Sequence, residues 1–508
     1  MDTKKLLIKH GLSYPEKAAF VFEERPISFL ELRDNSFRLA NYLLKKGIGS
    51  ADKVALFLPN IPEAVFSFLG IFSLGAKLVP LDFMLTEEEV INFITHSEAK
   101  VLITQPKKEV NLANIKNSCL NLKEIIVCNE KIEGFSFWEE ALKKSELGEP
   151  QTKFNEDELS SIFYTSGSTG HPKGVMLNYR HLDNPPETIN HFLGVSHKDI
   201  FLTGGIPFSH IGGLDYILLM LRFTSTLILM ERFHPLEFLK KLEKHKITIF
   251  CIVPSMYVAI LSLKEYDKFD LSSLRYAAVF GAPSSPVLLE KFHRVCPKAI
   301  VVNGWGMTET SAPNTYSPLD ETKLNSIGNF GFRMKARIVD DSGRDLKYEA
   351  RGELWVKGDG IMAGYYKEPN LTKEVLTEDG WLKTGDIAYF DGEGLIYLAG
   401  RKKDMIKVAG EIVFSSEVEE KMQRYSKIKE VAVIGVLDKL RGEVPKAFIV
   451  PKENENINLQ ELKDFLRGHL AHFKIPHYFE FIKELPKNRV GKIDKVKLEA
   501  ETRGTIRG

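Results

Sequence analysis

Short apolar runs of strand length recur through the first three hundred residues, at 54–58, 100–104, 125–128, 227–230, 247–253, 276–280 and 299–302, with helix-like stretches between them. Strands that alternate with helices need crossover connections, and crossovers build parallel sheet covered by helices. The intervening segments carry helix signals. Asn60 precedes Ile61-Pro62-Glu63, a helix start with proline in its first turn. Thr86 and Glu89 have capping-box spacing ahead of a helix reaching about Thr95, and 235–245 has helical spacing.

The rhythm changes after about residue 320. Strands are expected at 337–339, 352–356 and 395–398, separated by the turns Asp340-Asp-Ser-Gly343 and Asp391-Gly-Glu-Gly394, which predicts β-rich packing. A second change follows Gly400-Arg-Lys-Lys-Asp404. Ser416 and Glu419 have capping-box spacing for a helix reaching Tyr425, and strands at 431–436 and 446–450 and a helix at 459–470 follow. The expected fold class is therefore α/β. A large N-terminal region of several subdomains, with mainly parallel sheets and a β-rich part, precedes a small α+β C-terminal domain.

Bulk properties exclude several functions. With 69 basic and 68 acidic residues the formal charge is +1, so nothing draws the chain as a whole to nucleic acid. Cys119, Cys128, Cys251 and Cys296 are scattered without paired spacing, which argues against a disulfide scaffold or a cysteine metal cluster. The apolar stretches 64–74 and 214–221 are too short to span a bilayer, and the N-terminus lacks a signal-peptide core. A cytoplasmic protein without a transmembrane segment is expected.

Chemistry concentrates in Tyr164-Thr-Ser-Gly-Ser-Thr-Gly-His-Pro-Lys-Gly174, behind a strand at 159–164. Glycine-freed backbone N–H groups, hydroxyls and one lysine suit a polyphosphate; the alternative is a tight turn with Lys173 solvated. Gly174 follows Lys173 where a Walker loop needs Ser or Thr, so that motif is excluded. In Val301-Val-Asn-Gly-Trp-Gly-Met-Thr-Glu-Thr310, Trp305 between glycines could face a planar ring or plug the core, and Glu309 could ligate a divalent cation or be solvated. Asp386, after Lys383-Thr-Gly385, is placed either to hold ribose hydroxyls or to cap a turn. Lys492 sits in a basic loop, and His210 in Pro207-Phe-Ser-His-Ile-Gly-Gly213 is either a pocket gate or a satisfied buried histidine.

Taken together and in this order, the 164–174 loop, Trp305-Gly-Met-Thr-Glu309, Asp386, Gly400–Asp404 and Gly491-Lys492 resemble the adenylate-forming superfamily over essentially the whole chain. That superfamily contains acyl-CoA synthetases, nonribosomal peptide synthetase adenylation domains and firefly luciferase. The resemblance implies that residues 1–400 bind ATP and a carboxylic acid and that 401–508 form a mobile lid. It implies attack of a carboxylate on the α-phosphate of ATP, then transfer of the acyl group to a thiol, with ATP, Mg2+ and coenzyme A required.

By the same resemblance, Thr165, Ser166, Gly167, Ser168, Thr169, Gly170 and Lys173 follow the phosphates. Gly281, Ala282, Pro283, Asn303, Gly304, Trp305, Gly306 and Met307 surround adenine and the acyl entrance. Thr308 contacts the adenylate phosphate and Glu309 the magnesium. Asp386 and Arg401 hold the ribose, Lys403 is the hinge, Gly410 belongs to the lid segment facing the thiol, Lys492 drives carboxylate attack, and His210 lies by the pocket.

Departures from the family pattern are Trp305 for tyrosine, Ala409, Ile412 and Ser415 where relatives often carry glycine, asparagine and proline, Asn488 for a common threonine and Leu437 for a common proline. Gly306, with the apolar neighbourhood of Phe208, Ile211, Leu214 and Met307, implies a medium- or long-chain fatty acid. An aryl acid, or transfer to a carrier protein in place of coenzyme A, are the alternatives, and a homodimer is compatible with either.

Overall fold

The computed structural model describes residues 1–165, 173–281, 286–318, 323, 326–331, 333–409, 411–438, 440–453, 455–487 and 492–505. Two large sheets dominate. In the 13-stranded sheet, Ile200–Leu202, Ile249–Ile252, Tyr276–Val279 and Ile300–Trp305 lie side by side and parallel. From Ile300–Trp305 the same sheet continues through antiparallel strands: Thr315–Pro318, Ser326–Phe330, Ile396–Arg401, Leu382–Phe390, Gly352–Gly358 and Met334–Val339. The β-rich part expected after residue 320 is thus an extension of the parallel sheet.

The eight-stranded sheet holds Lys53–Phe57, Lys77–Pro80, Val101–Thr104 and Glu124–Val127 in parallel, beside the antiparallel pair Leu159–Thr165 and Lys173–Asn178. Most expected strands form within a few residues of their expected ends. The helix Pro62–Leu74 has every residue from Ala64 to Leu74 buried, as befits a helix apolar all round. It packs on the helix Phe29–Lys45 so closely that a Cβ at Gly70 would come within 2.8 Å of the Ser36 carbonyl oxygen.

A separate five-stranded sheet with the α-helices Ser415–Gln423, Leu459–Arg467 and Lys495–Thr505 forms the C-terminal part around its own apolar core, which includes Ile406, Val433, Phe448 and Leu462. The helix Ser415–Gln423 forms, but the expected Ser416–Glu419 box does not. Ser416 donates instead to the Ala399 carbonyl at 2.7 Å, and Glu419 accepts from the Val433 N–H at 2.7 Å, so tertiary partners outbid the local cap. Asn60 likewise leaves its helix to bond Ile206 and Phe208. Among the described residues no helix is long and apolar enough to cross a membrane, and all four cysteines are free.

His181, 2% exposed, accepts the Asn178 N–H through Nδ1 at 2.9 Å. Burial, and then the charge on Arg180, lower its pKa from 6.5 to about 4. The folded pKa lies below the unfolded one, so the unfolded chain takes the proton first as pH falls. His181 therefore supports the fold fully above pH 6.5 and loses that support as pH drops toward about 4. The loss should amount to about 3 kcal/mol. Denaturant midpoints measured across this interval should fall less steeply in His181→Asn than in the unmodified protein.

Candidate functional site

The C-terminal end of the strand Ile300–Trp305 opens into a cleft of about 3030 Å³ between the N-terminal region and the small domain. Such strand ends are where ligands bind in open α/β sheets. Trp305 is 6% exposed, and its indole Nε1 donates to Asp386 Oδ2 at 2.8 Å, while its ring meets Phe330 edge-on at 5.5 Å. Asp386 faces Arg401 across two antiparallel strands, and Arg401 Nε lies 2.6 Å from Oδ1. Burial raises the Asp386 pKa; Arg401 offsets this most, followed by the indole bond. A carboxylate has about four acceptor sites, so both oxygens can still accept from a ligand. Asn303, on the same strand, gives its amide to the Ser326 carbonyl at 3.2 Å.

Glu309 lies in the short turn Thr308–Thr310 that follows the strand, with Thr308 half-buried beside it. Glu309 accepts from the Tyr365 hydroxyl through Oε1 at 2.9 Å, and the Met362 N–H bonds its carbonyl at 2.9 Å. Lys173 Nζ stands 5.4 Å above the Tyr365 ring. The cation and the carboxylate are therefore joined through one aromatic ring. Sequence reasoning missed Tyr365, because its place depends on the pairing of Gly364-Tyr365 with the strand behind the glycine-rich loop, which has no sequence signal. Thr165 and Lys173 are register partners on the two strands flanking that loop. Ser166, Gly167, Ser168, Thr169, Gly170, Ala282, Pro283 and Gly410 lie outside the described residues.

Lys492 enters the cleft from the small domain. Its Cε and Nζ come within 3.6 and 3.8 Å of where a Cβ of Gly281 would stand, a position with φ +87°. Although Lys492 keeps a solvent-exposed side, the cleft walls strip hydration from its ammonium. This is the largest influence lowering its pKa, followed by repulsion from Arg401; Asp386 partly offsets both. Lys495, at the start of the next helix, anchors the segment through Glu419 at 2.7 Å and Ser415 at 3.0 Å. Lys403 lines the same cleft. Ala409 adopts φ +50°, the left-handed region where glycine costs nothing, and Ile412 is 49% exposed.

His210 precedes the helix Ile211–Phe223, lines the cleft and lies 3.9 Å from Asp82. Ile211 and Met307 also line it, whereas Phe208 and Leu214 turn into the core, Phe208 against Phe68. Gly304 and Gly306 lie on the cleft wall. A Cβ at Gly306 would come within 2.6 Å of Ala312 Cβ and 2.8 Å of Asn314 Oδ1. Close packing against the following loop thus demands glycine there, besides any room it leaves for an acyl group.

Known proteins resemble this chain in sequence and fold. The family model described as AMP-binding enzyme matches residues 9–366, and that of the AMP-binding enzyme C-terminal domain matches 417–492. A long-chain-fatty-acid–CoA ligase of Bacillus subtilis (strain 168) is 33% identical, over 98% of this chain and 94% of its own. The 4-coumarate–CoA ligase 1 of Solanum tuberosum is 31% identical, over 94% and 89%. A crystal structure of an anthranilate CoA ligase with anthranoyl-AMP superimposes with a TM-score of 0.94 over 100% of this chain and 98% of that one; at 24% identity it speaks for the fold alone. This chain belongs to the AMP-binding enzyme family.

Proposed function

We propose that this protein is an AMP-forming acid–thiol ligase that converts a medium- or long-chain fatty acid, ATP and coenzyme A into acyl-CoA, AMP and pyrophosphate. The observation that carries this reading is Lys492, which crosses from the small domain to Gly281 and shares the cleft with Asp386 and Arg401. A carboxylate and a polyphosphate repel each other. A partly dehydrated ammonium between them offsets the charge as the acid oxygen attacks the α-phosphate and pyrophosphate leaves. Dehydration makes this cation act at short range with little screening.

The other residues hold the nucleotide. Asp386 accepts from the ribose hydroxyls, held in place by Trp305 and Arg401; the indole face lies toward adenine, and Lys173 and the 166–172 loop take the leaving pyrophosphate. Among the described residues no three acidic, histidine or cysteine side chains could cage a metal by themselves. That fits magnesium, which usually rests on one or two carboxylates and the substrate's phosphates. Glu309 would hold it, oriented by Tyr365. When bound, magnesium neutralises phosphate charge. In the second step the thiol sulfur bonds the acyl carbon and the bond to AMP breaks. Residues 401–508 rotate about Lys403 to withdraw Lys492 and admit the thiol.

Transfer to a carrier protein is the second reading. Ile412, Leu437 and Leu440 are 49%, 84% and 89% exposed on the small domain, with Lys407 and Glu443 in the row between Ile412 and Leu437, so apolar and charged side chains alternate on a face open to a partner.

Incubation with ATP, magnesium, coenzyme A and a panel of fatty, aryl and short acids should give acid-dependent pyrophosphate and a thioester, with fatty acids foremost. Acid-dependent pyrophosphate without thioester would favour the carrier protein, and aryl acids leading the panel would replace the fatty-acid assignment. Lys492→Ala should slow adenylate formation about 100- to 1000-fold, yet still transfer acyl groups from supplied acyl-adenylate to coenzyme A; equal loss of both half-reactions would contradict the rotation. Trp305→Phe removes the donor to Asp386 and should raise KM for ATP about tenfold with kcat little changed.

A further inference from the structure

One buried acid in the cleft has no role in nucleotide or carboxylate chemistry. On the helix Ile211–Phe223, Gly212, Asp215, Tyr216 and Leu219 fall three and four residues apart, which places them on one face, and all line the cleft. Asp215 is 6% exposed; its Oδ1 is enclosed by the protein with no hydrogen-bond partner among the described residues, which leaves Oδ2 as the oxygen that faces the cleft. Its neighbour Tyr216 is fully engaged: its hydroxyl accepts the Cys251 N–H at 2.9 Å and donates to the Cys251 carbonyl at 2.8 Å. Asp215 stands within electrostatic reach of Tyr216, Cys251 and Tyr316, and those three also line the cavity. Around this polar spot the walls are apolar, with Ile189, Leu193, Phe201 and Ile249.

The spot lies well inside the pocket. Cys251 pairs with Ala278, and Ala278 with Val302, so this row crosses the sheet about three residues before Trp305, where the reacting groups gather. At a strand rise of ~3.3 Å per residue, the row is roughly 10 Å deeper. An acid whose carboxyl end meets Lys492 would bring a part of its chain far from the carboxyl group beside Asp215.

A buried polar atom without a partner is costly, and such exceptions are kept for a reason. We infer that Asp215 is a specificity-determining residue that binds a hydroxyl group carried far along the acyl chain, so that the preferred acid is a hydroxylated straight-chain acid. Burial holds the Asp215 carboxyl neutral by raising its pKa well above the carboxylate range. A neutral carboxyl both donates and accepts, which matches a hydroxyl in both directions. A distal ammonium would instead force two charges into an apolar wall. The inference rests on the ligase reading and names its substrate class.

The test compares straight-chain acids of graded length with their ω-hydroxy and ω-amino counterparts. The full chain and the variants Asp215→Leu and Asp215→Asn are assayed for pyrophosphate release, and binding of the same acids is measured by calorimetry. At one length the unmodified protein should favour the ω-hydroxy acid over the plain acid by at least about tenfold in kcat/KM. Asp215→Leu should reverse the preference, and Asp215→Asn, which still donates and accepts, should keep part of it. If Asp215→Leu does not fold, the unmodified ratio and Asp215→Asn decide. A preference for plain acids at every length, a ratio unchanged by either variant, or a preference for the ω-amino acid would overturn the inference. Absence of pyrophosphate release with every acid would instead remove the ligase reading, and the calorimetric preference would then judge Asp215 separately.

Discussion

The carboxylate of Asp386 receives the indole N–H of Trp305 on one oxygen and the guanidinium of Arg401 on the other, with Lys492 close enough for its charge to be felt. These two donors and the nearby charge come from different parts of the chain: the last residue of the parallel strands, the end of an antiparallel strand, and the small domain. Burying a carboxylate is expensive unless it is paired and hydrogen-bonded, so the acid makes these parts agree on one geometry. The charge balance is close. Among the described residues Arg401 and Lys492 bring positive charge to Asp386, Asp404 adds a weaker negative one, and the partly dehydrated Lys492 is already pressed toward losing its proton. An incoming carboxylate and phosphates would reverse that imbalance, which makes the cleft better suited to an anionic complex than to being empty.

Much of this was legible in the residues. Short apolar runs between helix starts forecast the parallel strands, because period and length leave few alternatives. The Thr86–Glu89 box formed with both bonds, being local and unchallenged. The same spacing failed at Ser416 because the Ala399 carbonyl and the Val433 N–H offered better partners. Tertiary competition of that kind has no sequence period.

Site residues divided along the same line. The order of Trp305, Glu309, Asp386 and Lys492 along the chain pointed to one kind of chemistry, and the fold brings all four to one cleft. What the sequence could not carry was the wiring: that Trp305 ties its indole to Asp386, or that Tyr365 orients Glu309. Phe208 and Leu214, apolar and adjacent to Ile211, looked equally able to line a pocket. Helix phase turned Leu214 into the core, and Phe208, in the loop before the helix, packed against Phe68 instead.

The strand Ile200–Leu202 stops after three residues, while its neighbour Ile249–Ile252 runs on. At Gly204 and Gly205 the backbone turns with φ +61° and +77°, and a Cβ on Gly205 would come within 2.3 Å of the Phe233 nitrogen. The chain therefore leaves the sheet there, and the Tyr216 hydroxyl takes the two Cys251 backbone groups that a longer strand would have met. This part of the cleft is thus a missing piece of sheet, sealed by one phenol. Its floor is set by where a strand ends, so moving the glycine pair along the chain would change the depth of the cleft without repacking the core.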